Sequence, residues 1–103
     1  MKRIGYAGGS FLTGDRIADA VMDYAAVLAR AAQADRVSIP ALGADDTVRL
    51  LDLVVGPASQ FIAEPVDLPG DELHDADLVA DLELRGRRAR AGRFEDLGRD
   101  AAS

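Results

Sequence analysis

Apolar residues recur along this chain in two different periods, one helical and one extended. Between Gly14 and Ala34, Ile17, Val21, Tyr24, Leu28 and Ala31 follow one another at spacings of four, three, four and three. That places them on one stripe of a 3.6-residue helix, with Asp19, Asp23, Arg30 and Gln33 turned away from it. The intervening alanines favour helix intrinsically and leave a thin surface that a sheet or partner helix can approach closely. Thr13 stands at the N-cap position, where its hydroxyl can accept from a free amide of the first turn. Asp15, just inside, complements the helix dipole.

The rest of the pattern is mostly extended. Arg3–Ala7 reads as a short strand broken by Gly8-Gly9, with Ser10–Leu12 resuming an extended path. Arg36–Ile39 reads as a strand ended by Pro40, followed by a loop over Ala41–Asp46. Thr47–Val55 is the strongest strand, rich in branched apolar residues. Alternation puts Arg49, Leu51, Leu53 and Val55 on one face and Val48, Leu50, Asp52 and Val54 on the other, so both faces are largely apolar. Such a strand is expected to lie centrally with both sides covered, or to be covered by a second subunit. Gly56-Pro57 marks a turn, Ala58–Ala63 a fourth strand and Glu64–Gly70 a connector.

Asp71–Arg85 reads as a second helix, capped by Asp71, with Leu73, Leu78, Val79 and Leu82 as its apolar side and Gly86 as its C′ stop. The alternation Leu78, Ala80, Leu82, Leu84 also permits a strand. Residues 86–103 read as a mobile arginine-rich tail behind a single domain over 1–85. The order β-α-β-β-β-α predicts an α+β fold. It would be a two-layer sandwich with a three- to four-stranded mixed sheet, one long amphipathic helix and a shorter C-terminal helix. A right-handed crossover is expected if the first two strands are parallel.

Composition narrows the chemistry more than it identifies any. The 103 residues hold no cysteine and one histidine, His74. Disulfides, thiolate metal sites, cysteine nucleophiles and multi-histidine metal sites are therefore excluded. No apolar run approaches the ~20 residues of a membrane span. The start MKR before IGYAGGSFL superficially resembles an export signal, but the apolar stretch is short, glycine-interrupted and without a small-residue cleavage pattern. The protein is expected to be cytoplasmic, with no membrane role and no cofactor.

The net charge of −6 is unevenly spread: +2 over residues 1–14, −11 over 15–84 and +3 over 85–103. An acidic body repels nucleic acid, so such contact would have to use the arginine-rich end. Arg85, Arg87, Arg88, Arg90 and Arg93 are candidates for touching nucleic acid or an acidic partner. Their alternative role is to neutralise the carboxylates of residues 71–83.

Gly8, Gly9, Ser10, Thr13 and Gly14 form a glycine-bearing turn ahead of a helix N-terminus, where free amides attract phosphate or another small anion. Asp15 occupies the place where a P-loop has its lysine, and the G-x-G-x-x-G pattern is absent. A glycine bend with a threonine cap accounts for the same residues. Asp71, His74 and Asp77, three apart on a helix, could share one face as an acid–base pair or cation site. Ser59 follows a turn but lacks the G-x-S-x-G elbow. With no complete catalytic motif, the leading expectation is a non-catalytic module acting by self-association, as a homodimer, or through another protein. Ligand binding at 8–14, with enzymatic action there included, is the alternative. Nucleic-acid contact through 85–93 is a further one.

Overall fold

The structure, a computed structural model, describes residues 1–43, 45–68 and 70–102, with 93–102 described as backbone alone. It is an α+β fold of five strands and two helices: β1 (Lys2–Tyr6), β2 (Gly9–Thr13), α1 (Asp15–Ala31), β3 (Asp35–Leu42), β4 (Val48–Val55), β5 (Ile62–Pro65) and α2 (Ala76–Ala102). The strands form one sheet in the order β4-β3-β2-β1-β5, and every neighbouring pair is antiparallel. The expected class holds. The expected mixed sheet of three to four strands does not, because the two halves of the glycine-interrupted segment are separate strands. Tyr6 pairs with Gly9 across a two-residue connection in which Gly8 has φ +96°, a value costly for any residue with a Cβ. The chain therefore enters α1 from β2, and α1 links antiparallel strands rather than a parallel crossover pair.

One face of the sheet is the core face. Ile4, Phe11, Thr13, Val37, Ile39, Ala41 and Val55 are buried there, with Leu51, Leu53 and Ala63 partly so. Against them α1 buries Ile17, Val21, Tyr24 and Leu28, four of the five residues of the expected stripe, together with Ala18, Ala20 and Val27. Each fully buried Ile or Leu contributes about 1.5–3 kcal/mol relative to exposure. α1 ends three residues short of the expected Ala34, at a left-handed Ala32 whose N–H returns to the Leu28 and Ala29 carbonyls.

β2 and β3 share a single paired position, Leu12 with Leu42, and the buried Thr13 hydroxyl adds a tie by donating to the Pro40 carbonyl at 2.8 Å. Thr13 is thus a cross-strand tether, not the N-cap. The N-cap is Gly14, with no side-chain bond of its own.

The second helix begins and ends later than the sequence suggests. Asp75, not Asp71, caps it, its Oδ1 accepting from Leu78 N–H at 3.0 Å. The alternating stretch 78–84 is helical, not extended. Gly86 does not stop the helix; it is buried against the Tyr24 ring. Val79, Leu82, Gly86 and Ala89 make a seam at spacings of three, four and three that packs on α1. A methyl added at Gly86 would meet its nearest atom, Tyr24 Cδ1, at 3.8 Å, an ordinary contact. Gly86→Ala is therefore expected to stabilise the fold by about 0.5–1 kcal/mol, the helix-interior penalty of glycine. A raised denaturation midpoint would show it; a lowered one would mean the helices pack closer than this.

β4 lies at the edge of the sheet, not at its centre. Leu51, Leu53 and Val55 turn to the core. Val48, Leu50 and Val54 point to the opposite face and are 58%, 72% and 73% exposed. Among the described residues, no helix is long and apolar enough to cross a membrane.

Candidate functional site

The glycine-bearing residues of the anion candidate do not gather into one cradle. Gly8 and Gly9 belong to the β1–β2 hairpin, Ser10 lies on β2 facing away from the core, and Thr13 is committed to Pro40. Gly14 does sit at the helix N-terminus, but the chain leading into α2 crosses directly over it. Glu72 lies there with its Oε1 accepting from Asp15 N–H at 3.1 Å and from the Met1 ammonium at 2.7 Å. Asp15 pairs with the same ammonium at 3.0 Å. The amide and dipole that would attract a phosphate thus hold an internal carboxylate from 57 residues away. The ammonium first, and the Asp15 amide second, hold the Glu72 carboxyl below its ordinary range.

The arginine candidates divide around α2. Arg85 is tied down: it donates to Asp35 and to the Arg36 carbonyl, each at 3.3 Å, and pairs with Asp81 at 2.9 Å. This meets the neutralising role expected for it. Arg87 and Arg90 are exposed along a groove of about 340 Å³ between the helices, which Asp23 and Glu83 also line. At 100° per residue Arg87 and Arg90 point away from Arg85 and Arg88, so these four do not form one basic patch. The side chain of Arg93 lies outside the described residues.

Asp71 and His74 precede α2 while Asp77 is on it, so the three do not share a helix face. Among the described residues, no three side chains of metal-ligating type gather. Ser59 closes its own turn, its hydroxyl accepting from Gly56 N–H at 3.1 Å.

A polar cluster that the helical stripe gave no hint of joins α1, α2 and β3. The Tyr24 hydroxyl donates to Asp35, which Arg85 also engages. Burial, reinforced by the Asp35 contact, pushes the Tyr24 phenol up to about 12. The same hydrogen bond, ahead of the Arg36 amide and Arg85, holds the Asp35 carboxyl below its ordinary range. The raised phenol contributes stability that is full below its unfolded value near ~10 and is lost as pH rises through about 12. The lowered carboxyl contributes stability present above ~4 and lost as pH falls. Tyr24→Phe is therefore expected to flatten the decline of the denaturation midpoint between pH 10 and 12. It should also remove the late absorbance step of tyrosinate formation. An unchanged alkaline profile would contradict the burial of this phenol.

The remaining feature of functional weight is the open side of the sheet. Val48, Leu50 and Val54 on β4 and Ile62 on β5 are exposed there, with Leu12, Pro40 and Leu42 half-buried between them. Its charges are matched in pairs: Arg3 with Glu64 at 3.1 Å and Arg36 with Asp52 at 2.7 Å. Ser38 also donates to Asp52, and this bond first, then Arg36, lowers the Asp52 carboxyl. Sequence alternation identified this set of β4 residues but could not say which side the helices would leave bare. Compared with protein-family models, with curated proteins and with solved structures, the chain matches none.

Proposed function

We propose that this chain is a cytoplasmic association module that works by binding a second copy of itself through the β4 side of its sheet. The observation that carries the reading is the run of exposed apolar side chains, Val48, Leu50 and Val54, on a strand whose other face is in the core. Exposed apolar surface of this kind marks interaction sites in folded domains. The electrostatics support self-recognition. The chain is −6 overall, so two copies repel over most orientations, whereas on the open face Arg3–Glu64 and Arg36–Asp52 cancel.

Leu50, 72% exposed, contributes little to the core and can be changed without loss of the fold. Leu50→Asp is expected to weaken self-association roughly tenfold or more, since a charge buried at an interface core is unfavourable by more than ~1.4 kcal/mol. Sedimentation equilibrium measures it directly. A wild-type chain that stays monomeric at high micromolar concentration would end the reading.

A further inference from the structure

Two edges bound this sheet, and they are built differently. β5 has four residues, carries Glu64 and ends in Pro65, whose ring provides no N–H. Short length, a charge and a proline are the usual protections against strand addition. β4 has eight residues, VRLLDLVV, without proline, and its two charges are matched within the chain, Asp52 by Arg36 at 2.7 Å and Arg49 by Asp45 at 3.7 Å. Its outward backbone groups can be identified. The Thr47 carbonyl accepts from Gly43 N–H at 2.8 Å, extending the β3–β4 register in which Leu42 faces Val48. By the alternation of an antiparallel ladder, 49, 51, 53 and 55 then bond to β3, and 48, 50, 52 and 54 turn their N–H and C=O outward. Two further contacts agree. The Pro40 carbonyl, on a position paired with Leu50, points away from β4 to accept from Thr13. The Ser59 hydroxyl reaches the Val54 carbonyl from outside at 3.5 Å.

Resting on the self-association reading above, we infer that the second copy binds by main-chain pairing of β4 with β4, antiparallel about a two-fold axis at Leu51, giving one continuous ten-stranded sheet. A two-fold perpendicular to the sheet keeps both helix layers on one side, so opposed residues share a face and the axis passes through a residue. Axes at Leu51 and Asp52 give the longest overlap of the 48–55 strand. The Asp52 axis sets that carboxylate against its own copy, which is destabilising. The Leu51 axis instead opposes Val48 with Val54 and Leu50 with Asp52, and those are the residues whose backbone groups point outward. The interface is isologous and joins the longer, proline-free edge of each copy, so strand addition at this edge closes at two chains.

The experiment uses the full chain in three forms. Wild type should sediment as a dimer. Leu50→Pro removes an outward N–H while leaving the β3 ladder its bonds, which edge strands tolerate. It should be folded by circular dichroism and weaken dimerisation by at least about tenfold. Leu51 meets its own copy as a non-hydrogen-bonded pair, with Cα atoms about 4.5 Å apart, within disulfide range. The chain has no cysteine, so Leu51→Cys should give a covalent dimer on mild oxidation, and Ile62→Cys on the far edge should not. Should Leu50→Pro fail to fold, the cross-link decides alone. A wild-type dimer that does not cross-link through position 51 overturns the edge geometry and leaves self-association standing as face-to-face stacking. A monomeric wild type overturns both. A monomer that takes up an extended peptide at this edge overturns the choice of a second copy.

Discussion

Replacing Gly14 with alanine is expected to be among the most damaging single-methyl additions this fold can receive. The backbone at Gly14 is extended, φ −65° and ψ 152°, so alanine suffers no conformational strain there. The cost is steric. An added Cβ would stand 1.8 Å from the Leu73 carbonyl oxygen and 2.9 Å from its carbon, and both are backbone atoms that cannot rotate aside. The segment carrying Glu72 must lift, taking with it the carboxylate that caps α1 through Asp15 N–H. Overpacking of this kind typically costs about 1–3 kcal/mol, and here the helix loses its only side-chain acceptor among the described contacts as well. Chemical denaturation should show a markedly lower midpoint, and Glu72→Gln should fall in the same direction. If Gly14→Ala unfolds at the wild-type midpoint, the chain does not cross over the helix start, and that N-terminus is open to external anions after all.

Gly14 also shows where sequence reasoning stops. A glycine before a helix is locally equivalent whether it cradles a phosphate or lies under another strand of chain. The deciding group, Glu72, is 57 residues from the amide it caps, and no periodicity connects them. Gly86 presents the same ambiguity. Glycine both ends helices and allows them to touch, and only the Tyr24 ring beside it distinguishes the two. The α1 stripe was legible because its spacing is internal to one element, so Ile17, Val21, Tyr24 and Leu28 are buried as their period requires. β4 was half legible. Its alternation named the two faces, but edge or centre depends on the β1–β2 hairpin, which the paired glycines disguised as a single interrupted strand. The exposed side of β4 was therefore anticipated as residues and not as a surface.

Leu82→Ala carries the second large effect. Leu82 is 1% exposed and sits at the centre of the seam between the helices, flanked by Val79 and by Gly86 on Tyr24. Truncation removes its transfer free energy and leaves a cavity, together about 2–5 kcal/mol. In a domain whose total stability is of order 5–15 kcal/mol, that is a large share. Thermal unfolding should fall by roughly ten degrees or more, since about 1 kcal/mol shifts a domain of this size by roughly 4–8 °C. A loss below ~1 kcal/mol would show that α2 is not packed on α1 through this residue, contrary to the usual cost of truncating a buried leucine. The Tyr24–Asp35–Arg85 cluster borders the same seam, so Leu82→Ala should also bring the Tyr24 phenol down from about 12 as water enters.

The narrow join between β2 and β3 has a dynamic consequence. The hairpin β3–β4 is zipped along eight paired positions and β1–β2 along five, but across the join there are one paired position and the Thr13 side-chain bond. Such a molecule need not melt uniformly. Native-state hydrogen exchange should resolve two cooperative units, one on each side of this line. Amides at the boundary should exchange through partial openings, while those inside each hairpin wait for larger unfolding. Thr13→Val, which keeps the volume but removes the strap, should widen that gap in protection without shifting the midpoint of global unfolding nearly as far.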